Sequence, residues 1–276
     1  MLMGCTRKAC SSVLFPGRRP TTEEMVVRVV QLMRKVTVIV PCYNEGSRLQ
    51  IEEFCAYLKG NETNFVFVND GSSDNTAEVL GRLQQVRPDL VSVLNETVNR
   101  GKSEAVRRGI CFALECGCDY VGFWDADLAT PLQEIPFFVQ LLQENSQLEM
   151  VFGARVKLLG RHVERNAVRH YLGRLFATFV SQMLDLPIYD TQCGAKLFRV
   201  TTSSQTLFGR PFLSRWVFDV EIIARYLGEV GQKTAANRIY EFPLHSWVDV
   251  TGSKLKARDF FIAFWDVLRI RQTYLT

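Results

Sequence analysis

The sequence predicts an α/β fold: a mostly parallel central sheet covered by helices on both faces. Short continuous runs rich in β-branched residues alternate with amphipathic stretches from Lys35 onward, and each run ends in a polar or glycine-containing turn. That β-α-β-α order is the signature of a parallel sheet buried on both faces. The chain of 276 residues is 47% hydrophobic, enough for a substantial core in one large domain or two small ones. A net charge of +4 is too mild to suggest a nucleic-acid partner.

In order, strands read at VTVIV (Val36 to Val40), NFVFVN (Asn64 to Asn69), LVSVLN (Leu90 to Asn95), DYVGFW (Asp119 to Trp124) and EMVFGAR (Glu149 to Arg155). Helices fit between them near residues 46–59, 74–86, 102–116 and 131–144. The first 35 residues are basic, hold no acid before Glu23 and lack a signal-peptide apolar region, so they are expected to be an N-terminal extension without order of its own. No internal repeat or linker stands out. The eight cysteines form no C-x-x-C pair and are expected to be reduced, mostly buried and cytosolic. No apolar stretch approaches the roughly 18 to 20 residues of a spanning helix.

In parallel sheets ligands bind beyond the carboxyl ends of the strands. Four consecutive strand ends carry unusual chemistry: Pro41, Tyr43, Asn44 and Glu45; Asp70 and Gly71; Asn99, Arg100, Gly101 and Lys102; Asp125 and Asp127. Turns and helix caps account for each of these alone, and one of the two aspartates could be a simple cap before Pro131. Four in succession describe a nucleotide pocket, and two carboxylates one residue apart suit a shared divalent cation.

VTVIVPCYNEG, FVFVNDGSSDNT, NRGKSEAVRRG and FWDADLATP, in this order, resemble the family 2 glycosyltransferases of GT-A fold. DTQCGAKLFR, RWVFDVEI and VDVTGSKL are similar to the dolichyl-phosphate β-glucosyltransferase branch, and the resemblance spans about residues 36–273. It implies a transferase domain over residues 36–253, with 254–276 as a C-terminal amphipathic helix at a membrane interface. It also implies that Pro41, Tyr43 and Glu45 line the base and ribose of a UDP-sugar, that Asp70 holds the uracil or ribose, and that Lys102 faces the pyrophosphate at a helix N-terminus. Asp125 and Asp127 would hold Mg2+ or Mn2+, with Asp127 favoured as the direct ligand. In the related mannosyl branch a glutamine often follows two positions after D-x-D; here that position is Ala129, which leaves the third protein ligand open.

The expected reaction is metal-dependent, inverting transfer of a hexose, glucose first, from the UDP-sugar to a polyprenyl phosphate. Arg155 and Arg161 are the candidate clamps for the acceptor phosphate, and Gln192 and Lys196 are weaker candidates for the sugar pocket. Asp219 would be the general base if the acceptor were a hydroxyl, and its spacing from Glu221 puts the two on different helix faces. His162, His170 and His245 show no metal spacing and are expected to be structural or exposed.

Two basic stretches bear on the membrane. Arg161, Arg165, Arg169 and Arg174 accompany helix-spaced apolar residues, and Lys254, Lys256, Arg258, Arg269 and Arg271 flank Phe260, Phe261, Phe264 and Trp265. Such helices either pack on the domain or lie in a membrane interface, and the resemblance favours peripheral attachment at the cytoplasmic face. Two readings compete: transfer to a glycan hydroxyl, and a nucleotide-sugar-binding module without turnover. Retention of both aspartates speaks against the second.

Overall fold

The computed structural model describes residues 36–164, 167–250 and 257–275, with side chains described from Tyr171 and from Ile262 in the two helices that follow the gaps. The N-terminal extension, Arg165, Lys254, Lys256 and the side chains of Arg169, His170, Arg258, Phe260 and Phe261 lie outside the described residues.

Nine strands are described: β1 (Val36–Cys42), β2 (Asn64–Asp70), β3 (Val91–Glu96), β4 (Tyr120–Trp124), β5 (Met150–Ala154), β6 (His162–Glu164), β7 (Ala195–Arg199), β8 (Ile239–Pro243) and β9 (Ser246–Val248). The helices are α1 (Ile51–Leu58), α2 (Thr76–Val86), α3 (Lys102–Cys116), α4 (Ile135–Glu144), α5 (Ala167–Leu184), α6 (Thr202–Phe208), α7 (Phe218–Val230), α8 (Gln232–Arg238) and α9 (Ala257–Tyr274). The main sheet runs β3-β2-β1-β4-β7-β5-β8 and only β7 is reversed; β6 and β9 form a separate parallel pair.

Period-two alternation sends each strand's side chains to two cores. On one face Val38, Phe65, Phe67, Trp124 and Leu197 pack with Phe54 of α1, Leu80 of α2 and Phe138 of α4. On the other Ile39, Val66, Phe123, Phe152 and Phe198 pack with Ile110 of α3, Tyr226 of α7 and Val267 of α9. Since β1 neighbours β2 on one side and β4 on the other, chain order reverses between β1 and β4. That is the topological switch point, where a crevice opens at the strand carboxyl ends.

The five strands and four helices expected from the sequence are all present. The first helix starts later than expected, at Ile51, because the Glu45 carbonyl accepts the Arg48 and Leu49 amides and holds residues 45–49 in turns. The fifth strand, though parallel to the first four, does not adjoin β4: β7 inserts between them. Of the six described cysteines, all free, only Cys42 and Cys193 are buried and Cys116 is exposed, so burial is less general than expected.

Candidate active site

The turns after β1 and β2 are laced together. Asn44 adopts a left-handed conformation (φ 53°), which asparagine tolerates better than most residues. Its Oδ1 accepts the Ser73 amide at 2.9 Å and its own amide donates to Ser72 Oγ at 3.0 Å. The Glu45 amide donates to Thr76 Oγ1 at 2.9 Å and the Gly46 amide to Asp74 Oδ2 at 3.1 Å. The residues that read as ordinary caps thus cross-link two loops into one platform. Tyr43 is exposed on it and Pro41 half-buried, while the Glu45 carboxylate takes both Nε and Nη2 of Arg48, at 3.0 and 2.5 Å.

Asp70 binds protein before it binds any nucleotide. One oxygen accepts the Arg100 amide and the other the Gly101 amide, each at 2.8 Å, so this buried carboxylate anchors the loop after β3. Gly71 (φ 64°) permits the approach, since a Cβ there would lie 2.6 Å from the Asn99 nitrogen. Arg215 closes the same loop from outside, with Nε donating to the Arg100 carbonyl and Nη2 to Asn99 Oδ1, both at 3.0 Å.

That loop delivers Lys102 to the start of α3, where Nζ lies 2.5 Å from Asp125 Oδ1; both side chains are 36% exposed. Burial pulls the Lys102 pKa down, and the carboxylates of Asp125 and Asp219 more than reverse this, so the ammonium keeps its proton. The turn after β4 is wound tightly. Leu128 is left-handed (φ 51°), an unfavourable state for a branched side chain, and the Asp127 carboxylate accepts the Ala129 amide at 3.1 Å. Trp124 Nε1 donates to the Thr130 carbonyl at 2.8 Å, and Gln50 Nε2 to the Asp127 carbonyl at 3.0 Å.

Burial raises the pKa of Asp127 and the Asp125 charge raises it further, against partial relief from the Ala129 amide and Lys102. Two crowded carboxylates, one of them penalised for its charge, are a donor set that a hard divalent cation suits. Among the described residues no group of three or more His, Cys, Asp or Glu side chains is placed to hold a metal. The carboxylates therefore fit the kind of site in which one or two protein oxygens share the cation with substrate phosphates and water.

The wall facing this turn comes from the segment before β7. The Asp125 amide donates to the Gly194 carbonyl at 3.0 Å, and a Cβ on residue 194 would overlap the Asp125 carboxylate. Lys196 is fully buried and bonds the Thr191 and Cys193 carbonyls and Asp219 Oδ1. Burial raises the Asp219 pKa against the pull of Lys196. Asp219 is thus committed to an ion pair rather than presented as a free base.

Asp190 takes Nε and Nη2 of Arg155 at 2.6 and 2.7 Å, and Glu241 accepts the Tyr189 and Asp190 amides, both at 2.7 Å. Burial would lower the Arg155 pKa, but the Asp190 carboxylate outweighs it, so Arg155 enters as half of a buried pair. Arg161 ends the loop that leaves β5, and no described contact joins its side chain to the carboxylates. His245 Nδ1 lies 2.9 Å from Glu134 Oε2 and its ring against Phe137, while His162 is exposed on β6. Sequence reasoning missed Gly194, Asp190 and Glu241. The first two stand inside DTQCGAKLFR, where a glycine and an aspartate near a lysine were the available signal; nothing local marks Glu241.

Helices α5 and α9 pack side by side, with the Phe179 and Phe264 rings stacked at 4.0 Å. Ala263, Val267 and Ile270 turn α9 inward, whereas Tyr171 and Leu175 of α5 and Trp265 of α9 are each 70% exposed. Among the described residues no helix is long and apolar enough to cross a membrane.

Comparison with known proteins places this architecture. The family model described as Glycosyl transferase family 2 matches residues 37–205. Dolichyl-phosphate beta-glucosyltransferases of Trichomonas vaginalis and Homo sapiens are 31% and 30% identical, over 85% and 88% of this chain and 72% and 76% of theirs. The Saccharomyces cerevisiae protein of the same name is 30% identical over 87% of this chain and 75% of its own. The solved structure of glucosyl-3-phosphoglycerate synthase from Mycobacterium tuberculosis, with Mn2+, UDP and glucosyl-3-phosphoglycerate, superposes with a TM-score of 0.64 at 16% identity, covering 95% of this chain and 86% of that one. The fold is GT-A, and this chain belongs to glycosyl transferase family 2 and is a glycosyltransferase.

Proposed function

We propose that this chain transfers glucose from UDP-glucose to a dolichyl-type polyprenyl phosphate, with a divalent cation held by Asp125 and Asp127. The observation that carries the reading is the pairing of Asp125 with Lys102 at the N-terminus of α3, beside Asp127 and at the switch point between β1 and β4. Positive charge and helix amides beside an acidic turn suit a metal-bound diphosphate. The names of the relatives support the acceptor, and the Mn2+ and UDP of the structural neighbour support the donor and the cation.

In this reading the platform of Tyr43, Asn44 and Glu45 receives the nucleoside, and the Asp70-anchored loop presents Lys102 to the diphosphate. The cation, when bound, neutralises charge that builds on the departing UDP. One acceptor phosphate oxygen forms a bond to the anomeric carbon as the bond to UDP breaks, so the configuration inverts. That oxygen carries no proton near neutral pH, and no general base is needed. The engagement of Asp219 by Lys196 agrees with such an acceptor. Arg161, and the edge of Arg155 that Asp190 leaves open, are the candidates for the acceptor phosphate. The exposed apolar face of α5 and α9 would rest in the headgroup region of the cytoplasmic leaflet and hold the pocket at the level of the lipid phosphate.

The test supplies purified chain with UDP-[14C]glucose, Mn2+ and either a polyprenyl phosphate or a water-soluble glycan. Label should enter the organic phase with the lipid phosphate, and EDTA should stop it. Label that follows the glycan instead would hand the site to a hydroxyl acceptor.

A further inference from the structure

We infer that Lys196, with its partner Asp219, is a positioning residue for Asp125, acting through the turn Thr191 to Gly194. The inference rests on the proposed role of Asp125 and Asp127. Lys196 lies on β7, the one reversed strand of the main sheet, and its side chain is completely buried. Its Nζ stands 5.4 Å from the ring centre of Phe123 and 5.3 Å from that of Phe152. A lysine is almost never buried this deeply without partners.

Lys196 has three. An ammonium offers three donors, and here they go to the Thr191 carbonyl at 2.9 Å, the Cys193 carbonyl at 2.6 Å and Asp219 Oδ1 at 2.5 Å. No donor remains for a sugar or a phosphate, so Lys196 does not shape the sugar pocket by touching substrate.

Two of those acceptors are main-chain carbonyls of the turn that ends at Gly194. Gly194 in turn meets Asp125 twice: its carbonyl accepts the Asp125 amide at 3.0 Å, and its missing side chain leaves the space that the Asp125 carboxylate fills. Displacing the turn therefore displaces both the backbone and the side chain of Asp125. Lys102 holds Asp125 Oδ1 as well, so the carboxylate is fixed by both an ammonium and a wall. A buried ion pair is an expensive way to stabilise a strand interior, where an apolar residue of similar size often serves as well. What an apolar side chain cannot do is bind two carbonyls of the adjoining turn, and that is the service Lys196 performs. Asp219 in the first turn of α7 balances the charge at a helix end that favours an anion.

The experiment measures Mn2+ affinity at saturating UDP, by the EPR signal of free Mn2+, alongside the melting temperature. It compares wild type with Lys196→Met, with Lys196→Met/Asp219→Leu and with Gly194→Ala. Lys196→Met should melt lowest, because Asp219 is left buried and unpaired, and the double variant should recover melting by removing both charges. Mn2+ affinity should stay down by about 10- to 100-fold in both, the scale seen when groups that orient a metal ligand are removed. Gly194→Ala should show the same loss while keeping its fold, because it pushes on Asp125 directly. Wild-type affinity in Gly194→Ala or in the double variant overturns the inference. So does an affinity that simply tracks melting temperature across the set. A wild-type chain that shows no UDP-dependent Mn2+ binding contradicts the reading of Asp125 and Asp127 themselves, before any variant is compared.

Discussion

The two halves of the molecule reach a defined site by different means. From β1 to β4 the strand ends are organised by short polar side chains that bind nearby backbone: Asn44 on Ser73, Asp74 on Gly46, Asp70 on Arg100 and Gly101, Asp127 on Ala129. From β5 onward the pocket wall is held by buried ion pairs: Arg155 with Asp190 and Lys196 with Asp219. Turn chemistry leaves Asp125 partly exposed at its strand end. Buried pairs hold a wall rigid but use up the charges that make it.

The largest expected effect comes from breaking the first half at its chemical centre. Asp127→Ala should lower turnover by about 100-fold or more while the protein still folds, because charge on departing UDP loses its cation. Steady-state transfer assays would show this, and an unchanged rate, or full activity in EDTA, would remove the metal from the account. Breaking the second half should instead cost stability. Arg155→Met removes the guanidinium from a buried, doubly hydrogen-bonded pair and should destabilise the protein by about 3–5 kcal/mol in urea titration. A loss below about 1 kcal/mol, the range of exposed pairs, would mean that the wall does not depend on this pair.

How much of this was legible follows the same division. Turn and cap residues are visible in sequence because Asn, Asp, Gly and Pro declare themselves locally, so Asn44, Asp70, Asp125 and Asp127, and Lys102 after Gly101, were named from the sequence and lie at or just beyond these strand ends. What the loops do with them was less visible: Asp70 read as a nucleotide contact, and the folded chain first spends both its oxygens on the amides of Arg100 and Gly101. The second half was mostly hidden. Partners such as Arg155 and Asp190, or Lys196 and Asp219, come together only after β7 inserts in reverse between β4 and β5, and no spacing along the chain encodes that. β6 and β9 are only three residues long and β8 shows no clear alternation, which kept them out of the pattern.

Smaller effects sharpen the contrast. Asp70→Ala should weaken UDP binding by about 1–3 kcal/mol in calorimetry, and should also speed hydrogen exchange at the Arg100 and Gly101 amides in the UDP-free protein. Weaker binding with unchanged exchange would return Asp70 to direct nucleotide contact.

The smallest effect is a gain. The Asp127 pKa is raised in the folded protein, so its proton is held more tightly folded than unfolded, and its charge lowers stability once pH exceeds the unfolded value. Asp127→Asn should therefore raise the melting temperature of the metal-free protein at neutral pH. The advantage should fade as pH falls through the raised pKa, because wild type then carries the proton itself. An advantage that is constant with pH would assign the effect to packing.

The division of labour between strand ends and helical face is tested most directly by one kinetic comparison on Leu175→Ser/Trp265→Ser, two substitutions at positions 70% exposed and therefore expected to spare the core. The measurement is the transfer rate from UDP-glucose to a long-chain polyprenyl phosphate in liposomes and to a short, water-soluble analogue, with UDP affinity taken on the same preparation. The account predicts a large loss on the long-chain acceptor, with the short acceptor and UDP affinity unchanged. Equal rates on both acceptors, or a loss of UDP affinity with the fold intact, would contradict it.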